Sequence, residues 1–257
     1  MKSVKIDLSK DIVELELHTF SDEHIGDIHT DMTYLKQRIE YVKNTPNAYA
    51  ILNGDLIDNA TKTSVSDTYA QTHNPQEQMD LLIELFKPIK NKILAVTQGN
   101  HEARTYKKEG IDIMKNVARA LGVEKRYSPE SICLFIRFGM KNTNKQRKLL
   151  YTAYVTHGSG GGRKEGAKAI RLADLAAIVD ADIYIVGHTH LPLIMKEDFF
   201  RVHESSSTVQ RVTKLFVNSS ANLDFGGYGE VMGCKPASKD KPTVYLSGRI
   251  HNTNAKL

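Results

Sequence analysis

Five short polar stretches of this 257-residue chain collect side chains that hold metal ions or move protons. They read Asp22-Glu23-His24, Gly54-Asp55-Leu56-Ile57-Asp58, Gly99-Asn100-His101-Glu102, His157-Gly158 and Gly187-His188-Thr189-His190. Their donors are hard oxygen and imidazole nitrogen, with no thiolate among them. The side chains of Asp22, His24, Asp55, Asn100, His157, His188 and His190 outnumber the ligands of a four-coordinate structural zinc site. They suit two adjacent divalent ions sharing one carboxylate, and mixed oxygen and nitrogen ligation favours manganese, iron or zinc over calcium or copper(I). Two such ions, roughly 3.5–4 Å apart, clamp a phosphoryl group and generate hydroxide at neutral pH.

Singly, each stretch also reads as a turn or a helix cap. Their positions decide otherwise. Each follows a short apolar run ending at Phe20, Leu52, Val96, Val155 or Val186. Strands of an α/β sheet present their carboxyl ends along one rim, where sites are usually built. Glycines at the turns let distant stretches approach one another.

The elements that must position them alternate strand and helix through the first three quarters of the chain, and then run as strands. Residues 12–20 alternate apolar and polar, as a half-buried strand does. Met32, Leu35, Ile39 and Val42 make one helical face, and Asn74-Pro75 opens a helix with the face Met79, Leu82, Ile83 and Phe86. Further strands are expected at 49–52, 93–96 and 183–186, and helices at 111–121 and 167–179. Residues 131–138 and 149–156 read as a hairpin around the basic turn 141–148, whose charges suit a solvated surface. Later strands are expected at 193–195, 199–203, 215–217 and 244–246, with a glycine-rich loop between the last two. No linker or repeat interrupts this order, so one domain over residues 1–257 is expected.

Composition sets the outer bounds. Hydrophobic residues make up 40% and charged residues 25%, which excludes a disordered chain. The net charge of +5 is far below that of a histone-like nucleic-acid binder. Two cysteines cannot form a disulfide framework, and Cys133 reads as a small buried hydrophobe in an apolar run. No stretch approaches the length of a membrane span and no leader segment is evident, so a cytoplasmic location is the expectation.

The ordered set of motifs resembles the calcineurin-like metallophosphoesterases, whose pattern is D-x-H, GDxxD, GNH[ED], a His before Gly, and GHxH. The resemblance implies a four-layer αββα sandwich of two mixed β-sheets flanked by helices. It implies that Asp22, His24 and His190 hold one metal, that Asn100, His157 and His188 hold the other, and that Asp55 bridges them. His101 would be the general acid, oriented by Asp58. Gly26-Asp27-Ile28-His29 is a rival D-x-H, but Asp22 and His24 follow the strand directly. His29 is then expected at the start of the next helix, near the mouth of the site.

Protein Ser/Thr phosphatases of this superfamily continue GDxxD with Arg-Gly and lack the GHxH ending. Here Asn59-Ala60 follows Asp58, so the pattern is closer to the nuclease and phosphodiesterase branches. The expected function is hydrolysis of a phosphodiester in nucleic acid or a nucleotide, by a metal-bridging hydroxide with two divalent ions, manganese first. A phosphomonoesterase is the alternative, and a non-catalytic scaffold of the same fold is a third reading. Arg163, in the glycine-rich segment after His157, together with Arg104 and His29, are the substrate-binding candidates.

Overall fold

The computed structural model describes residues 1–62, 64, 68–140, 147–160, 162, 164–231 and 233–257. In chain order its elements are β1 (Lys2–Asp7), β2 (Glu14–Phe20), α1 (Met32–Asn44), β3 (Ala48–Asn53), α2 (Pro75–Phe86), β4 (Ile93–Thr97), α3 (Asn100–Glu109), α4 (Ile113–Ala120) and β5 (Tyr127–Ser128). Then follow β6 (Ser131–Phe138), β7 (Leu149–Thr156), α5 (Glu165–Asp174), β8 (Ile183–Val186), β9 (Leu193–His203), β10 (Thr208–Asn218), α6 (Gly227–Val231), β11 (Thr243–Ser247) and β12 (Thr253–Lys256).

The strands form two mixed six-stranded sheets, ordered β1-β6-β7-β8-β10-β9 and β12-β11-β2-β3-β4-β5. Alternation along each strand sends apolar side chains to both faces. Leu15, Leu17, Ile51, Ala95 and Val244 of the second sheet meet Ile132, Leu134, Val155, Ile183 and Val217 of the first in a shared inner core. Phe20, Leu52 and Val96 pack outward against Leu35 and Ile39 of α1, Leu82 and Phe86 of α2, and Val117 of α4. On the opposite outer face, Tyr154, Tyr184 and Phe216 pack against Leu172 of α5. These are the four layers the motif resemblance implies.

Strands β2, β3 and β4 run parallel, as do β7, β8 and β10, so each sheet presents a rim of strand carboxyl ends. The rims are joined directly. Asn53 at the end of β3 donates its amide to Thr156 O at the end of β7, 3.0 Å away.

Several expected elements shift. Helix α3 has too little apolar periodicity to be read from Asn100–Glu109; it exists because its ends are fixed, with Glu102 bonding back to the Gly99 N–H and Gly110 closing it at φ 70°. The two strands expected in 193–203 are one, because the polar residues Lys196 to Asp198 pair in register with Thr213 to Leu215 of β10. The expected helix over 167–179 gives way to a 3₁₀ turn after Asp174, and the late glycine-rich loop contains α6. Cys133 is half-buried on the outer face of β6. Most of the basic turn, residues 141–146, lies outside the described residues.

Candidate metal centre

The first, second and last motifs leave their strands through tight turns made by the functional residues themselves. Asp22, His24, Asp55, His188 and His190 all have left-handed backbones, with φ of 55°, 48°, 48°, 65° and 54°. That conformation costs a non-glycine residue on the order of 1 kcal/mol or more, and it persists where surrounding bonds over-determine it. Those bonds are present. The N–H groups of Asp22 and His24 donate to Gly54 O and Asp55 O, both at 3.1 Å, so the first two loops run side by side. Gly54, at φ 75°, packs on the backbone of Gly99, and a Cβ there would lie 2.6 Å from Gly99 Cα. The third loop is thereby brought against the second.

Glu102 completes that junction. Its buried carboxylate accepts from the N–H groups of Gly99 (2.9 Å), Asp55 (3.0 Å) and Leu56 (2.7 Å). Burial raises its pKa, and the Asp55 charge adds to the rise.

The result is a convergence of side chains from both sheets. Asp22, His24 and His190 form one group whose ligand atoms all lie within 4.8 Å of one another; Asp55, His157 and His188 form a second, and His24, Asp58 and His101 a third. Asp22 Oδ1 lies 3.3 Å from His190 Nε2 and 4.0 Å from His157 Nε2, and Asp55 Oδ2 lies 3.1 Å from His157 Nε2. The second oxygen of Asp55 accepts from the His101 N–H at 2.8 Å, and both oxygens of Asp22 accept from the His188 N–H at 3.0 Å.

These donors fit a divalent cation better than they fit one another. His157 donates Nδ1–H to Asn53 O at 2.7 Å, which fixes the ring, yet its buried Nε2 makes no hydrogen bond despite the neighbouring Asp55 oxygen. The Nε2 atoms of His24 and His190 face each other at 3.4 Å. Imidazole nitrogens and carboxylate oxygens that converge on a common space from separate loops are arranged as ligands are.

The electrostatics agree. Burial would raise Asp22 and Asp55, but the charge of His157 beside them holds both carboxyls well below the usual range. Burial would lower His157, but the Asp55 and Asp22 carboxylates push it up to about 10. Burial lowers His24 and His188, keeping them neutral.

His101 stands at the first turn of α3 with its ring edge-on to His24, centroids 4.5 Å apart. Its Nδ1 lies 2.7 Å from Asp58 O and 3.1 Å from Asp58 Oδ1. Burial opposes its protonation, but the Asp58 hydrogen bond and the Asp55 charge raise its pKa. Asp58 also reaches His24 Nδ1 at 3.3 Å and accepts from Gln71 Nε2 at 2.9 Å.

Asn100 lies exposed at the first residue of α3, one residue from the N–H that binds Asp55. Arg104 donates to Asp58 O at 3.3 Å, which places it beside His101. His29 is not at the start of α1, which begins at Met32 with Asp31 as its cap. Its ring packs against Gly226 and Gly227 instead, because Asp27 accepts from the His29 N–H and turns the chain before the helix. Neither Asp27 nor His29 joins the three groups. Arg163 lies outside the described residues.

Sequence reasoning missed the supports. Asn59, buried and at φ 46°, donates to His101 O at 2.7 Å and bonds Thr105. Gln78 accepts from the Asn59 N–H at 2.8 Å. Glu23, Arg38 and Lys241 form a buried ion cluster behind Asp22. Arg38 did leave a signal, a charged residue inside the apolar stripe of α1; Lys241 left none.

Solved structures similar to this chain include a predicted phosphoesterase from Streptococcus pneumoniae (14% identity, 95% of this chain and 98% of that one, TM-score 0.37). A metallophosphoesterase from Sphaerobacter thermophilus matches at 12% identity over 91% of this chain and 84% of that one, TM-score 0.38. A Vps29 mutant from Entamoeba histolytica matches at 11% identity over 94% and 97%, TM-score 0.40. Comparison with curated proteins gives no match. The profile of the calcineurin-like phosphoesterases matches residues 24–192, more than half of the chain, from His24 of the first motif past His190 of the last. The chain belongs to the calcineurin-like phosphoesterase family.

Proposed function

We propose that this chain, acting as a single domain over residues 1–257, is a dinuclear metal-dependent phosphodiesterase whose substrate is nucleic acid or a nucleotide. The observation that carries the reading is the convergence of Asp22, His24, Asp55, His157, His188 and His190 around a common space, with His157 Nε2 buried and without a hydrogen bond. Asp22, His24 and His190 would hold one ion; Asn100, His157 and His188 would hold the other, with Asp55 between them. When bound, two divalent ions supply Lewis-acid stabilisation of the phosphoryl oxygens and a nucleophile at neutral pH, and manganese suits this donor set.

The chain's own residues supply the proton. Anchoring Nδ1 on Asp58 leaves His101 Nε2 directed toward the cluster, 3.8 Å from Asp55 Oδ2. An imidazolium kept charged by Asp58 and Asp55 can deliver its Nε2 proton to the oxygen leaving phosphorus. Arg104 and His29 are candidates for flanking phosphates, and Arg163 for the scissile one. Position 59 weighs against a phosphoprotein phosphatase and leaves a small-molecule monoesterase as the alternative. Where a phosphatase arginine would grip a terminal phosphate, Asn59 turns inward to His101 O and Thr105.

His101→Ala tests the assignment. On a diester with a poor leaving group, turnover should fall roughly 10²–10⁴-fold, while activated bis-p-nitrophenyl phosphate, which needs no acid, should lose far less. Equal losses on both substrates would remove His101 from the acid role. Comparing bis- with mono-p-nitrophenyl phosphate separates the diesterase from a monoesterase, and a manganese panel of DNA, RNA and cyclic nucleotides identifies the substrate.

A further inference from the structure

Lys241 lies outside the residues matched by the family profile and just before β11, yet its side chain is only 2% exposed. Its ammonium donates to Ser21 O at 2.5 Å and to Ser220 O, and it lies 3.4 Å from Glu23 Oε1. The same carboxylate oxygen accepts from Arg38 Nη1 at 2.8 Å, and Arg38 Nη2 donates to Thr19 O at 2.6 Å. The guanidinium lies over the Phe20 ring, 4.3 Å from its centroid. The loop after β10 joins the same structure: the Asn222 N–H donates to Asp22 O at 2.9 Å, and its amide donates to Asp31 O.

Residues 19–23 are therefore held at four successive points: Thr19 O, Ser21 O, Asp22 O and the Glu23 side chain. Glu23 sits between Asp22 and His24, the two residues strained into left-handed backbone. Their side chains face the metal centre, while the Glu23 side chain faces Lys241 and Arg38. A buried ammonium is costly unless oxygens surround it, and here two carbonyls and a carboxylate do. We propose that Lys241 is a positioning residue that holds the Ser21–His24 segment in the geometry required by one of the two metal positions, that of Asp22, His24 and His190. The proposal rests on the dinuclear reading above.

The other position is secured elsewhere. Asp55 is fixed by Glu102 through its N–H, and His157 by Asn53 O through Nδ1. Loss of Lys241 should thus weaken the ion of Asp22, His24 and His190 more than the other, to which Asp22 is tied only through the His188 N–H and the backbone of the second loop. Lys241→Met removes the charge and the donor to Ser21 O, with little change in volume.

The test counts manganese ions and reads their magnetic coupling. Wild-type protein should bind two equivalents and give the paramagnetic resonance spectrum of an exchange-coupled pair. Lys241→Met should bind its second ion about 10–100-fold more weakly, as loss of an outer-shell support does, and should show the six-line spectrum of an isolated ion at one equivalent. Lys235→Met, which alters an exposed lysine paired with Glu165, should keep the coupled pair. A coupled pair at wild-type affinity in Lys241→Met overturns the proposal, and so does equal weakening of both ions. If Lys241→Met does not fold, Glu23→Gln carries the test, since it removes only the counter-charge; the same selective loss is expected. If neither folds, the cluster is a folding element and the positioning role is overturned. Wild-type protein that takes up fewer than two ions overturns the dinuclear reading itself, before any variant is examined.

Discussion

The segment Ser21–His24 separates two groups of buried charge built on opposite terms. In front, Asp22, Asp55 and four histidines approach to 3–4 Å, yet the His157 Nε2 beside Asp55 makes no hydrogen bond, and five left-handed residues hold the arrangement under strain. Behind, Glu23, Arg38 and Lys241 touch directly, with Arg38 and Lys241 each donating to backbone carbonyls as well. The front group gathers acids and imidazoles around a common space, whereas the back group sets one carboxylate against two cations, with Glu23 Oε2 also buried and without a hydrogen bond. A group of the first kind is held in strained backbone and serves chemistry. Charge of the second kind fixes the chain.

Variants on the two sides should therefore fail differently. The largest effect belongs to the front. Asp55→Asn should abolish paired-ion binding and hydrolysis, read by manganese titration and by turnover of bis-p-nitrophenyl phosphate. Retained hydrolysis would erase the distinction from that side. The next belongs to the back. Arg38→Met leaves Glu23 with one partner and should lower unfolding stability by about 3–5 kcal/mol in a urea titration. A loss under 1 kcal/mol would mean the cluster fixes nothing.

Alkali should move the two groups in opposite directions. In chelator-treated protein, His157 has its pKa raised from 6.5 to about 10; burial opposes this and the Asp55 and Asp22 charges outweigh it. Its contribution to stability is complete below pH 6.5 and is lost as pH climbs through 10. Lys241 has its pKa lowered from 10.5 to about 8 by burial, against the pull of Glu23. Its cost is complete below pH 8 and fades between pH 8 and 10.5. In urea titrations from pH 7 to 10, His157→Gln should remove the fall and Lys241→Met the rise; both losing the same component would break the comparison. The smallest effect sharpens the boundary. Arg104→Ala, at the half-exposed front rim, should raise KM by less than about tenfold, the worth of one partly solvated charge contact, with kcat retained.

How much of this was legible in the sequence follows the same division. Asp22, Asp55, His157, His188 and His190 announced themselves because each is a metal-capable residue directly behind an apolar strand. Part of the inner core was equally legible, from alternation in β2. Helix α2 was readable at its start, where Asn74 and Glu77 cap one another. What the pattern did not carry was interaction across long separations. Lys241 meets Ser21 220 residues away, and nothing near Lys241 marks it as buried. Strands β1 and β12 are short edge strands with polar outer faces, and α3 is defined by Glu102 and Gly110 at its ends. His29 was misplaced because a turn closed by Asp27 delays α1 to Met32.

The central claim is that the front group works only with two ions. Protein stripped with a chelator should be inactive on bis-p-nitrophenyl phosphate, and manganese titration should restore hydrolysis with a rate that saturates at two equivalents per chain. Hydrolysis that survives complete stripping, or that saturates at one equivalent, would contradict the account.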